Sequence, residues 1–203
     1  MKNYISINNQ QIDLTEDQVK RIVEAYGIPN MRLYDIAAGD TVKIGGYEFI
    51  VLEQLGESTA IICKDPIGDG SEFGENNNYD GSHVDEICNS FSGAIADAVG
   101  DENILPHTVD LTSDDGLKDY GTVERRASLL TTELYRHYVE ILDKFKPNRW
   151  WWLATAHSTE RHGNDSWVKS VSPSGFINYY DCCSYDNGVR PFCILKSNIF
   201  VSQ

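Results

Sequence analysis

The chain has 203 residues, 41% of them hydrophobic and 11% aromatic, which excludes a disordered tail and is enough for one packed domain with a short appendage. No apolar run approaches the roughly 20 residues that span a bilayer, and the opening residues lack a secretory signal's apolar stretch, so neither membrane insertion nor signal-peptide secretion is expected. The formal net charge is −14, which speaks against direct nucleic-acid binding because phosphate neutralisation needs clustered Lys and Arg.

In chain order, residues 1–30 read as a small ββα unit. Tyr4-Ile5-Ser6-Ile7 alternates, Asn8-Asn9 turns, and Gln11-Ile12-Asp13-Leu14 returns. Thr15 and Gln18 make a capping box for a helix with Val19, Ile22, Val23 and Tyr26 on one side, ended by Gly27 and Pro29. Such a unit is too small to stand alone and is expected to dock or to mediate assembly, a second copy of the chain included. Residues 39–203 form the main domain. It opens with a hairpin, Asp40 to Ile44 and Tyr47 to Glu53 about Gly45-Gly46, and a third strand, Thr59 to Cys63.

A long loop follows, Asp65 to Gly81, and then a helix capped by Ser82 with Val84, Ile87, Cys88, Phe91 and Ile95 at helical spacing. Residues 65–119 hold fourteen Asp and Glu against the single Lys118. Thr131 caps a second helix with Leu134, Tyr138, Ile141 and Leu142 inward, ended by Pro147. Short strands resume at Trp151 to Thr155, Ser166 to Val171, Phe176 to Tyr180, Val189 to Leu195 and Asn198 to Val201. The expected class is α+β, with antiparallel short strands, two helices and loops long enough to be functional.

Hydrolase elbows, zincin helices and Cys-x-x-Cys zinc spacings are absent from the sequence. His157 and His162 form only a weak His-x4-His pattern. The donors of the loop from Asp65 to Asp80 are of the kind calcium accepts, without EF-hand order. No other metal or cofactor is expected. The five cysteines, an odd number, suit reduced thiols; Cys63 and Cys88 read as small core residues, and Cys182-Cys183 as one in and one out.

Recognition is the better-supported chemistry. Residues 176–187 are dense in Tyr, Asn, Asp and Ser, types that give large contact area and adaptable hydrogen bonds. The expected ligand-binding residues are Asn178, Tyr179, Tyr180, Asp181, Ser184, Tyr185 and Asp186, with Trp150 and Trp152 beside them. Trp151, Trp167 and Arg190 are expected to be structural anchors, Arg190 through carboxylate or carbonyl oxygens.

From Gly39 to about Val201 the chain resembles a family of domains from gut bacteria and their phages. The shared marks are Gly39-Asp40-Thr41-Val42-Lys43-Ile44-Gly45, Asp110-Leu111-Thr112-Ser113, Trp150-Trp151-Trp152-Leu153-Ala154-Thr155 and Gly188-Val189-Arg190-Pro191. The tryptophan strand with a terminal Gly-Val-Arg segment is also similar to C-type-lectin-like folds. These include formylglycine-generating enzymes and the variable proteins of diversity-generating retroelements. In the latter, a Tyr/Asn/Asp/Ser-rich segment before a Gly-Phe-Arg-like motif binds the ligand. The lectin sugar motifs Glu-Pro-Asn and Trp-Asn-Asp are missing, and Cys182, Cys183 and Cys193 do not reproduce the copper-binding cysteines, so neither activity carries over.

The resemblance implies a non-enzymatic, phage- or prophage-borne recognition protein of C-type-lectin-like fold that binds a protein or glycan. Its setting would be the bacterial host cytoplasm or the phage particle. The rival expectation is an intracellular anti-defence inhibitor, of anti-CRISPR type, whose acidic residues 65–119 occupy a basic nucleic-acid-binding groove.

Overall fold

The computed structural model describes residues 4–7, 10–18, 21 and 31–202. Strands β1 (Tyr4–Ile7) and β2 (Gln10–Asp13) pair antiparallel, Tyr4 opposite Asp13. The capping box forms: the Thr15 N–H donates to Gln18 Oε1 at 2.9 Å and the Gln18 N–H to Thr15 Oγ1 at 3.3 Å. The apolar side expected of that helix, Val19, Ile22, Val23 and Tyr26, lies outside the described residues, as do Gly27 and Pro29.

From residue 31 onward the chain is an α+β structure of mostly antiparallel strands. Its main sheet runs in the order β10 (Ala127–Ser128), β14 (Phe192–Lys196), β6 (Ser58–Cys63), β5 (Tyr47–Gln54), β4 (Thr41–Ile44), and β7 (Ile104–Leu105) also pairs with β14. Alternation along its strands fills two cores. Phe49, Val51, Ile61, Cys63, Cys193 and Leu195 face one side, under α1 (His83–Val99). Ile50, Leu52, Ala60, Ile62 and Phe192 face the other, against Tyr135, Tyr138 and Leu142. Covering both faces is why these strands read as continuous apolar runs.

Helix α1 starts as the sequence predicts: Ser82 accepts from the Asp85 N–H, and Val84, Cys88, Phe91 and Ile95 are buried. The expected second helix breaks at Tyr138 into α2 (Thr132–His137), capped by Thr131, and α3 (Val139–Leu142). Tyr135, absent from the predicted inward set, is buried there together with Thr132, and its hydroxyl donates to the Gly175 carbonyl.

Two antiparallel strands, β8 (His107–Asp110) and β9 (Thr122–Arg125), occupy a stretch to which the sequence pattern assigns no element. At the other end, β15 (Phe200–Val201) closes on β3 (Met31–Arg32), and Leu33 and Ile36 are buried in the core. The packed body therefore begins several residues before the expected boundary at 39.

A second, three-stranded sheet carries the candidate site: β11 (Trp151–Ala156), β12 (Trp167–Val171) and β13 (Ile177–Asp181), with β13 at the open edge. Strand β11 bridges the two cores. Trp152 and Ala154 enter the first, Trp151 and Leu153 the second.

Candidate functional site

The edge sheet is held by a short segment whose residue types have physical reasons. Gly188 exchanges backbone bonds with Trp150 and Trp152, and a Cβ there would stand 2.5 Å from Pro66 Cβ, so only glycine fits. Val189 bridges to Ile67. Arg190 is buried and donates to the carbonyls of Cys63 (2.8 Å), Lys64 (2.9 Å) and Phe145 (3.2 Å), with its guanidinium 5.0 Å from the Trp151 ring centroid. Burial lowers its pKa to about 10, which still leaves it charged at neutral pH. The expected anchoring by Arg190 and Trp151 is what the side chains do. The strand expected from Val189 starts only at Phe192, because Arg190 and Pro191 are used as a tie.

Two of the tryptophans differ in burial from what was expected. Trp152, expected at the ligand surface, is fully buried at 0% exposure and donates its indole N–H to the Ser71 carbonyl at 2.8 Å. Trp167, expected as an anchor, is 40% exposed. The cause is strand parity: Trp152 faces the first core together with Val168, its near neighbour across the sheet, while Trp167 falls on the opposite parity of β12.

The same parity divides the tyrosines. On one face of the sheet Tyr179 stacks on His157 (centroids 4.6 Å apart, planes at 28°) and packs against Trp167 (4.4 Å). Lys169, opposite Tyr179 in register, lies 5.7 Å from its ring and pairs with Asp114 at 3.0 Å. On the other face Tyr180 and Phe176 flank Trp150, at 4.9 and 5.4 Å. Asn178 shares that parity and is half-buried. The single tyrosine surface expected from composition is thus two aromatic groups, back to back. Both groups reach solvent: Trp167 and Tyr179 are 40% and 37% exposed on the first face, and on the second Phe176 is 54% exposed beside the half-buried Tyr180 and Trp150.

Beyond β13 the chain turns. The Ser184 N–H donates to the Asp181 carbonyl and the Cys183 N–H to Asp181 Oδ1, so Cys182 and Cys183 occupy the centre of a β-turn. Cys182 is buried and Cys183 exposed, the expected one in and one out. Yet the turn brings their sulfurs to 4.0 Å, which strand alternation would not. Burial, then the neighbouring Cys183, pushes the Cys182 thiol up to about 12. Tyr185 is 66% exposed, Asp186 is exposed and Ser184 half-buried. This loop is seated on residues 70–74: Phe73 N–H donates to the Cys182 carbonyl and Ser71 N–H to the Asn187 carbonyl.

Several residues that build this site give little sign in sequence. Asn77 is fully buried and donates to the carbonyls of Ser158 (3.0 Å) and Trp167 (3.1 Å), while its Oδ1 accepts from the Tyr120 hydroxyl at 2.6 Å. Within the run Asn76-Asn77-Asn78 nothing distinguishes it. Lys169 follows from pairing β12 with β13 once Tyr179 is fixed, whereas His157, just beyond the end of β11, does not. His162 does not join His157 as a metal pair; it bonds Asp115 at 2.9 Å. Asp115 also accepts from Ser113 and Ser158, and those hydroxyls with His162 hold its carboxyl well below the usual range.

The calcium-type loop brings no three of its carboxylates together. Asp80 is engaged by Arg125 and Glu72 faces His83. Among the described residues the one group of three metal-ligating side chains is Asp181, Cys182 and Cys183. Buried polar atoms without a protein partner also gather at this sheet: Trp151 Nε1, His157 Nδ1, Ser170 Oγ and both amide atoms of Asn187. No helix among the described residues is long and apolar enough to cross a membrane. In comparisons with known proteins, no family model, no curated protein and no solved structure matches the chain.

Proposed function

We propose that this is a non-enzymatic recognition protein of C-type-lectin-like fold, phage- or prophage-borne, that captures a protein or glycan on the Tyr179 face of β12 and β13. The observation that carries this reading is the exposed Trp167–Tyr179 pair, seated on the half-buried His157 ring and braced by the Lys169–Asp114 pair. Rings fixed by packing offer contact area without much loss of side-chain freedom, which suits both a sugar face and a protein hot spot. Tyr185, Asp186 and Asp181 extend the surface with polar groups at its edge. The order tryptophan strand, Tyr/Asn/Asp segment, Gly-Val-Arg tie supports the lectin-like reading, as does the way that tie holds the sheet while leaving β13 at its edge.

Less supports the inhibitor reading. Five of the fourteen acids in residues 65–119 pair with cations of the same chain: Asp80 and Asp85 with Arg125, Asp101 with Arg126, Asp114 with Lys169 and Asp119 with Arg161. Paired carboxylates project a weaker field toward a basic groove than free ones.

The test is binding of the purified chain to an immobilised oligosaccharide panel and to whole bacterial cells. The double variant Trp167→Ala/Tyr179→Ala should lose whatever the wild type captures, at an unchanged melting temperature. Full retention would reject the surface. Capture of nucleic-acid-handling proteins instead, abolished by salt, would favour the inhibitor.

A further inference from the structure

The turn after β13 places three soft and hard donors at one point. Asp181, Cys182 and Cys183 each offer a ligand atom, all within 4.8 Å of one another, and the two sulfurs are 4.0 Å apart. Two thiolates at about 2.3 Å from a tetrahedral zinc stand about 3.8 Å from each other, so the pair already has the spacing of one edge of a zinc tetrahedron. A disulfide would need them at about 2.0 Å.

The arrangement is held by the backbone and not by the sulfurs. The Cys182 N–H donates to the Ser166 carbonyl and the Cys182 carbonyl accepts from Phe73, both at 2.7 Å. One Asp181 oxygen accepts from the Cys183 N–H at 2.9 Å, which orients the carboxylate toward the turn. The remaining cysteines, Cys63, Cys88 and Cys193, are sealed in the core and do not compete for an external ion.

We propose that Asp181, Cys182 and Cys183 form a three-ligand site for a thiophilic divalent cation of the zinc type. Asp181 and Cys183 are exposed, so the fourth coordination position opens to solvent, where a water or an external donor completes the tetrahedron. Soft sulfur donors select zinc or cadmium over calcium and magnesium. Binding would fix the turn that carries Tyr185, next to the surface assigned to recognition, but the site does not depend on that assignment.

The experiment uses the reduced full-length chain, titrated with cadmium and followed by the sulfur-to-cadmium charge-transfer absorption, then with zinc in competition. One equivalent of cadmium should develop the band, and zinc should bleach it. Cys183→Ser, an exposed substitution that spares the core, should weaken uptake by at least about 100-fold, beyond the ~10–100-fold typical of losing a residue that only orients ligands. Asp181→Ala, which removes the oxygen donor, should keep the sulfur band and weaken binding by about 100-fold or more, beyond the loss of an orienting residue.

No band in the reduced wild type, or a band unchanged in Cys183→Ser, overturns the site. Closure of the two sulfurs into a disulfide with no cation uptake after reduction overturns it as well. Trp167→Ala/Tyr179→Ala should take up cadmium like the wild type, so failure of the recognition reading and failure of the metal site are read separately.

Discussion

At the scale of single residues, Arg190 shows how a charge can be buried without a carboxylate. Three carbonyls and the face of Trp151 receive it, and only a planar fork reaches all of them. Arg190→Lys should therefore cost about 2–4 kcal/mol in urea unfolding, because at least one carbonyl is left unpaired in the interior. His107 makes the opposite adjustment. Burial, only partly offset by Glu124, lowers its pKa from 6.5 to about 4, and its ring packs edge-on to Phe192. The unfolded chain takes up this proton first, so stability is intact above pH 6.5 and falls as pH drops toward 4, by roughly 3 kcal/mol in total. His107→Phe should flatten that slope in a pH series of unfolding curves. Sequence reasoning identified Arg190 as a tie because an arginine between Val189 and Pro191 has to be satisfied. It gave no sign of the His107 environment, which is assembled from β8, β10 and β14, and two of those strands are too short to leave a pattern.

At the scale of elements, local signals were legible wherever a short-range rule governs. The Ser82 and Thr131 caps and the Gly45-Gly46 hairpin follow from residue chemistry within a few positions and are found as read. Helix α1 depends also on a long-range tie. Asp85, buried in its first turn, receives a two-pronged bond from Arg125 of β9 at 2.7 and 2.8 Å, and Asp80 takes a further bond. Replacing Arg125 by Met strands the buried Asp85 carboxylate, and should cost about 3–5 kcal/mol in chemical unfolding and loosen β8–β9. Replacing Arg126, whose partner Asp101 is exposed, should cost far less in the same assay. The tryptophan run was misread in part for the same reason that β9 was missed. Parity says which residues share a face, but which face is covered depends on neighbours distant in sequence. Trp152 is covered because Ser71 and Phe73 of the long acidic loop fold over it.

At the scale of the whole molecule, two covered cores leave one thin sheet at the margin, and its outer strands and the turns that flank them carry Trp167, Phe176, Tyr179 and Tyr185 to solvent. The composition of residues 176–187 pointed to the last of these strands. Alternation divides the strand's residues between two faces and pairing with β12 decides how each is covered, neither of which composition carries. Nor could it foresee the stacking of His157, which arrives from the end of β11. In the proposed function the Tyr179 face is the capture surface, while the Tyr180 face braces Trp150. The most direct measurement is a matched affinity comparison, on whichever glycan or cell surface the wild type binds, between Trp167→Ala/Tyr179→Ala and Phe176→Ala/Tyr180→Ala. The first pair should weaken binding by about 30-fold or more, some 2 kcal/mol, and the second by only a few-fold. Equal affinity in the first variant, with the loss appearing in the second, would contradict the assignment and move the site to the opposite side of the sheet.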